Sequence, residues 1–513
     1  MPFPRAVLVG ALLTLPSCYE INYGVVNRFA LACDGEGDTY HPESGTKILD
    51  NDKRSQLILR EVDKEFDRQE KELGRKLDVR RILIHVHGGL NSGGTSLETA
   101  SKVFARMSKE KPNSPDSHVP IFVTWDSGLY RSYGEHLVQL RHGRHQKVWG
   151  WITSPLYFAS DVVTGVARTP RSWSLKFASD TGLGVKVGFG YNLLPSWESA
   201  EAVYDTLKAS TTGKLIRANL GSYERGVLNQ GSRFVVYLAT LLPSMVLTAV
   251  ALDGVGQGAW EGMLHRASNL FHKYSQFNLK RHKIKEEDLL QEPGGAFAVF
   301  VRELIKHLEK RSTDDPDTKY EITLVGHSMG AIILNDALRD LVHKEKERNK
   351  ESLLPITHIV YMAAASSVAE TVQSVVPYLE AHRKTEFHVL TLHPLAEVDE
   401  RNYYDLAPRG SLLEWIDNWY THPTSPLERR FGKWTNLMQV LHLFHSVTKQ
   451  VTIKGFEVAD GTIPQKHGDF SSCPFWRKDF WYPQGTMKYP ANWQNLEGQG
   501  KRFDSAPRVP KTQ

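Results

Sequence analysis

Two periodicities alternate along much of this chain. Arg81-Ile82-Leu83-Ile84-His85-Val86 is a β-rich run that stops at His87-Gly88-Gly89, and Pro120-Ile121-Phe122-Val123-Thr124-Trp125 is a second, stopping at Asp126-Ser127-Gly128. Leu97 to Lys109 between them has helical spacing, so the three form a strand-helix-strand unit, the element of a parallel sheet. The rhythm returns downstream with a helix at Phe297 to Lys310, a strand at Tyr320 to Val325 and a helix at Gly330 to Leu341. It continues with a strand at His358 to Met362, a helix near Ala369 to His382, a strand at Phe387 to Leu392 and a final strand at Val451 to Val458. Upstream, Asn51 to Lys76 is a charged amphipathic stretch that reads as a helix, and the Gly-rich, acidic residues 33–46 read as an exposed loop. After Cys473 the chain is rich in Trp, Tyr, Pro and Gly with little periodicity, and is expected to wrap the surface.

Residues 127–295 break the rhythm without any fixed-period repeat, which predicts a large, mostly helical insertion rather than a solenoid. Inside it Phe234 to Leu252 holds 19 residues without a charge, between Arg233 and Asp253. At ~1.5 Å per residue a helix of this length reaches ~28 Å, close to a bilayer core. Candidate chemistry lies on both sides of it, however, and one crossing separates the two halves. The best second crossing, Val148 to Ala167, carries Asp161 and two glycines. A buried lid or core helix is therefore the preferred reading, with a helix that dips into lipid as the alternative; Pro243 bends either.

Composition narrows the class. The chain has 513 residues, 41% hydrophobic, 24% charged and 10% aromatic, which excludes wholesale disorder, a collagen-like repeat and a small disulfide scaffold. A formal charge of +5 is too small to imply nucleic-acid binding. Its distribution says more: eight basic and three acidic residues fall between Arg131 and Gly190, in the insertion. With Trp149, Trp151, Trp173, Trp197 and the apolar run, this suggests a lipid or acyl-chain substrate and contact with an anionic membrane surface, while a solvated basic face over an ordinary apolar core explains the same residues equally well.

Ala6 to Leu15 is an uncharged run after Arg5, so residues 1–18 read as an export signal. Leu15-Pro16-Ser17-Cys18 resembles a bacterial lipobox, in which Cys18 becomes the lipidated first residue, although Pro16 departs from the usual pattern. A cleaved signal or an uncleaved anchor is the alternative. The expected location is the cell envelope, as a membrane-anchored lipoprotein. Only three cysteines are present, so lipidation of Cys18 leaves Cys33 and Cys473, which an oxidising compartment favours as a disulfide over two free thiols.

The strand Tyr320 to Val325 runs into Gly326-His327-Ser328-Met329-Gly330 and then directly into a helix. This is a G-x-S-x-G nucleophile elbow in its required setting: side chains at Gly326 or Gly330 crowd the turn that lifts the Ser328 hydroxyl off the sheet. His87-Gly88-Gly89 ends an earlier strand, where backbone N–H groups of Gly89 and Met329 suit an oxyanion hole. On these residues the chain resembles the α/β-hydrolase superfamily, bacterial serine esterases and lipases in particular. The resemblance covers roughly residues 80–128 and 296–470. It implies a mostly parallel central sheet flanked by helices, with core pieces at 19–126 and 296–470, a lid at 127–295 and a tail at 471–513.

The resemblance also implies a chain order of Ser, acid, His. The acid then falls on the loop after Phe387 to Leu392, where Glu397 and Asp399 fit equally and Asp405 stands third. The base is His467, in Lys466-His467-Gly468-Asp469-Phe470 after the last strand; His442 and His445 lie in an apolar helical stretch, and His327 reads as a packing residue. The expected reaction is cleavage of a carboxylic ester through a Ser328 acyl-enzyme. Acyl transfer by the same residues and a non-catalytic, membrane-attached binding protein are the alternatives. No cofactor or metal is expected, since H-E-x-x-H, paired CxxC and P-loop patterns are absent.

Overall fold

The computed structural model describes residues 20–48, 50–138, 140–141, 144–145, 149–174, 216–223, 245, 248–272, 293–350, 352–400, 409–482 and 489–492. The export signal with Cys18, most of Phe234 to Leu252, Trp197 and Asp405 lie outside them.

The sheet strands are β1 (Ala30–Cys33), β2 (Thr39–Tyr40), β3 (Lys47–Ile48), β4 (Arg80–Val86), β5 (Val119–Trp125), β6 (Arg217–Leu220), β7 (Tyr320–His327), β8 (Ile356–Met362), β9 (Glu386–Thr391) and β10 (Val451–Gly455). They form one ten-stranded sheet in the order β3-β2-β1-β5-β4-β7-β8-β9-β10-β6. From β1 to β6 in that order every pairing is parallel; only the short β2 and β3 run antiparallel. This is an α/β architecture with flanking helices. Its middle strands are buried over nearly their whole length, and their near-continuous apolar runs reflect cover on both faces. Helices are stopped by ordinary signals: Asp50 caps the Asn51–Leu73 helix by accepting from the Lys53 N–H, Gly74 at φ 67° ends it, and Ser367 with Glu370 closes a capping box on Val368–Ala381.

Four expectations need correction. Residues 33–46 are not simply an exposed loop, because they contain β2, which pairs Thr39 with Cys33 of the buried β1. The expected insertion is not all lid. Arg217–Leu220 completes the sheet beside β10, and the Gly256–His272 helix buries Trp260, Met263, Leu270 and Phe271 in the main core. That helix is tied down by Arg266, fully buried, whose guanidinium donates to the carboxylate of Glu135 and to the Asp126 carbonyl. An arginine can be accommodated there because its charge is paired and its N–H groups are used.

The tail does not merely wrap the surface either. Parallel register places His85, His358, His388 and Lys454 on one face of the sheet, and Phe475, Trp476, Phe480 and Trp481, all buried, cover it. Phe475 stacks on His85 at 4.5 Å, and Trp481 lies 5.2 Å and 5.6 Å from the rings of His358 and His388. The Lys454 ammonium donates to the carbonyls of Phe480 and Tyr482 at 3.0 and 3.1 Å, fastening the tail across the strands. Finally, Cys33 and Cys473 form no bridge. Each is a buried free thiol facing its own carbonyl, Leu31 and Asp469, from β1 and from the loop after His467.

The Trp149–Ala167 helix stands apart. It seats on the π-helical turn Thr248–Val255 through glycines: a side chain on Gly165 or Gly254 meets a backbone oxygen 2.4 Å away, that of Ala249 or Asp161. Its outer side leaves Trp149, Trp151, Ile152 and Leu156 between 63% and 72% exposed. No described helix is long and apolar enough to cross a membrane.

These placements give a direct contrast. Leu270→Ala, in the core, should cost about 2–5 kcal/mol of unfolding free energy, whereas Leu156→Ala should change it by no more than about 0.5 kcal/mol. Urea denaturation of the two variants measures both. Equal, small effects would return the Gly256–His272 helix to a detachable lid.

Candidate active site

β7 ends in a turn that no ordinary residue adopts freely. Ser328 sits at φ 51°, in the left-handed region, between β7 and the Gly330–Arg348 helix. It is held there by its neighbours: its N–H donates to the Met362 carbonyl at 2.9 Å, and its carbonyl accepts from the Ala365 N–H at 3.0 Å. Space enforces the glycines. A side-chain carbon on Gly330 meets the Val86 carbonyl oxygen at 2.1 Å, and one on Gly326 meets Ala331 at 3.0 Å.

The end of β4 is pressed onto this elbow. A side chain on Gly88 meets Ser328 Cβ at 2.8 Å, and one on Gly89 meets the Met329 sulfur at 2.5 Å. The loop is fixed by several bonds: the Trp125 N–H donates to His87 Nε2 at 2.8 Å, the Leu90 N–H to the Ser127 carbonyl at 3.2 Å, and the Ser127 N–H to the Asn91 carbonyl at 2.9 Å. His87 thus serves the loop rather than the chemistry. Burial pushes it down to about 4, so it stays neutral. The backbone N–H groups of Gly89 and Met329 donate to no described residue, which leaves both available to an incoming oxygen.

His467 begins a 3-10 turn, His467–Ser472, and is tethered to the elbow by backbone rather than side chain. His327 Nε2 bonds the His467 carbonyl at 3.1 Å, and the two rings lie 5.3 Å apart. From the other side the His467 N–H donates to Glu400 Oε2 at 2.8 Å. Both ring nitrogens of His467 and the hydroxyl of Ser328 are buried without a hydrogen-bond partner. Burial holds the His467 imidazole well below the ordinary histidine range, so the ring is neutral. His87, Gly89, Glu400, Trp415 and His467 line a common cavity beside the elbow.

Glu397 and Asp399 have other partners. Glu397 accepts from the Ser411 hydroxyl, and burial pushes it up to about 8, so it is protonated at neutral pH. Asp399 is approached by the Tyr223 hydroxyl at 3.5 Å and Arg409 at 3.8 Å. Neither is bonded to the His467 ring. Glu400, next in the chain, is the carboxylate that reaches the His467 loop, and burial pushes it up to about 7. The sequence offers it as one more acid after Asp399, and nothing in the spacing singles it out. His442 and His445 are exposed on the Leu441–Gln450 helix, away from these groups. No family model, curated protein or solved structure matches this chain.

Proposed function

We propose that the chain is a serine hydrolase of α/β-hydrolase type that cleaves a carboxylic ester through a Ser328 acyl-enzyme. The observation that carries this is the strained Ser328, its buried hydroxyl without a hydrogen-bond partner, in a glycine elbow whose His327 holds the His467 carbonyl at 3.1 Å, with both His467 ring nitrogens likewise unpartnered. Each buried polar atom left unpaired costs about 1–3 kcal/mol, and a strained left-handed serine adds a similar amount, so such a site persists where a reaction uses it.

In this reading the neutral His467 takes the proton from Ser328 Oγ as the oxygen attacks the ester carbonyl. The carbonyl oxygen becomes an oxyanion and accepts from the N–H groups of Gly89 and Met329. His467 returns the proton to the leaving alcohol, and water repeats the sequence on the acyl-enzyme. Glu400 is assigned as the positioning carboxylate, acting through the His467 backbone in place of Glu397 or Asp399. The exposed aromatic and aliphatic side of Trp149–Ala167, next to the basic part of the chain, supports an acyl-lipid substrate met at an anionic membrane surface.

Ser328→Ala should lower hydrolysis of short p-nitrophenyl esters by on the order of 10³ or more and abolish labelling by a fluorophosphonate. Unchanged turnover would remove the nucleophile assignment, and a wild-type protein that neither labels nor turns over would favour a binding role. Glu400→Gln should reduce kcat by on the order of 10² or more, with Glu397→Gln and Asp399→Asn near wild type. The pH profile follows from the same groups. His467 is already neutral, so the limb that appears belongs to Glu400: kcat/KM should rise as that carboxyl ionises through pH about 7, and the rise should vanish in Glu400→Gln. A rise that survives the substitution assigns the limb to another group. For the surface helix, wild-type protein should bind anionic vesicles more tightly than neutral ones, less so in high salt, and a Trp151→Ala, Leu156→Ala double variant should lose most of that binding. Binding indifferent to lipid charge and to the double substitution would make the face an ordinary surface.

A further inference from the structure

At the opposite ends of the strands from Ser328, the polar face of the sheet gathers three groups with no role in the chemistry above. In the parallel register His358 of β8 lies directly beside Glu386 at the start of β9, and His388 follows two residues on, which puts all three side chains on one face. His358 Nδ1 is 3.6 Å from Glu386 Oε2, and His388 Nε2 is 3.5 Å from the same oxygen. All three ligand atoms lie within 4.8 Å of one another.

Both histidines approach one carboxylate oxygen at distances long for a hydrogen bond. Both nitrogens of His388, which is 0% exposed, and Nδ1 of His358, which is 7% exposed, are buried without a partner. Two buried imidazoles that share one distant carboxylate oxygen are poorly satisfied, a costly arrangement for a purely structural core. The distances have another meaning. A zinc ion with N and O ligands at about 2.0–2.2 Å in tetrahedral geometry holds those ligand atoms about 3.3–3.5 Å apart. The two measured edges are close to that value, and the third is no longer than 4.8 Å.

We propose that His358, Glu386 and His388 bind one divalent transition-metal ion of zinc type, with the fourth position open to water. Glu386 is the open side of the cluster, its side chain 40% exposed, and supplies the entry path. Tyr482 donates its hydroxyl to the same Glu386 oxygen, an outer contact that orients the ligand, and the Trp481 ring roofs both histidines. Lys478 and Arg217 lie close enough to oppose a proton on these rings, and they oppose a dication as well, which moderates the affinity. The role that the position supports is structural, since the ion joins β8 and β9 beneath the tail. A search for helical or cysteine motifs misses the site because its signature, Glu-x-His on one strand with a histidine on the next, becomes a cluster only through sheet register.

The test uses full-length protein stripped with EDTA and titrated with zinc chloride by calorimetry, with cobalt absorption as a second readout. One ion per chain should bind, raising the thermal midpoint, and cobalt should give the intense visible bands of a four-coordinate site. Glu386→Gln, at a partly exposed position, should stay folded by circular dichroism and weaken binding by at least about 10–100-fold, the loss usual for an outer-contact change and a lower bound for a ligand. Tyr482→Phe should weaken it less, and Ser328→Ala not at all, which separates this site from the hydrolase reading. A folded wild-type chain that takes up no zinc, or a Glu386→Gln variant that binds as wild type, would overturn the proposal.

Discussion

Two backbone turns meet so closely at Gly88 and Gly330 that neither has room for a side chain. This contact requires β4 and β7 to be parallel neighbours with their ends level, as the register from Arg80 beside Tyr320 to Val86 beside Gly326 provides. It also holds Ser328 in a conformation that costs a non-glycine residue roughly 1–3 kcal/mol. Compensation comes from the adjacent β8, whose last residue, Met362, accepts from the Ser328 N–H, and from Ala365 just beyond it, which donates to the Ser328 carbonyl. The elbow is therefore a property of three adjacent strands, and the Gly88-Gly89 turn presses on it while the His467 turn is fastened to it through its carbonyl.

The sheet has two unlike faces. One carries the aliphatic side chains that any parallel sheet buries, such as Ile84, Leu324, Ile359 and Val389. The other carries His85, His358, His388 and Lys454, and is made dry by aromatic residues that arrive from the tail. Histidine and lysine can stay there because the cover is itself amphipathic in detail: rings lie over the imidazoles, and a short run of carbonyls receives the ammonium.

This division explains what could be read from the residues alone. Strands such as Ile82 to Val86 and Tyr320 to Val325 were legible because burial on both faces leaves an unbroken apolar run, and the elbow because its glycines answer a steric demand within five residues. β1 and β6 were not, since four residues such as Ala30–Cys33 or Arg217–Leu220 are too short to carry a period, and their partners are distant in the chain. The tail looked like surface because aromatic residues that cap a sheet face follow no helical or strand spacing. Glu400 was hidden for a related reason: its bond is to the backbone of His467, and backbone partners leave no pattern among side chains.

The roofing of the polar face by Phe475 to Trp481 also bears on the order of assembly. On a ribosome every strand of the sheet leaves the exit tunnel before its cover does, and β6 must wait for β10, so an unfinished sheet presents bare imidazoles and an open edge while synthesis continues. Non-local pairing of this kind closes slowly. The polar face of the central layer is closed only when the last aromatic residues and the three carbonyl acceptors of Lys454 come into place.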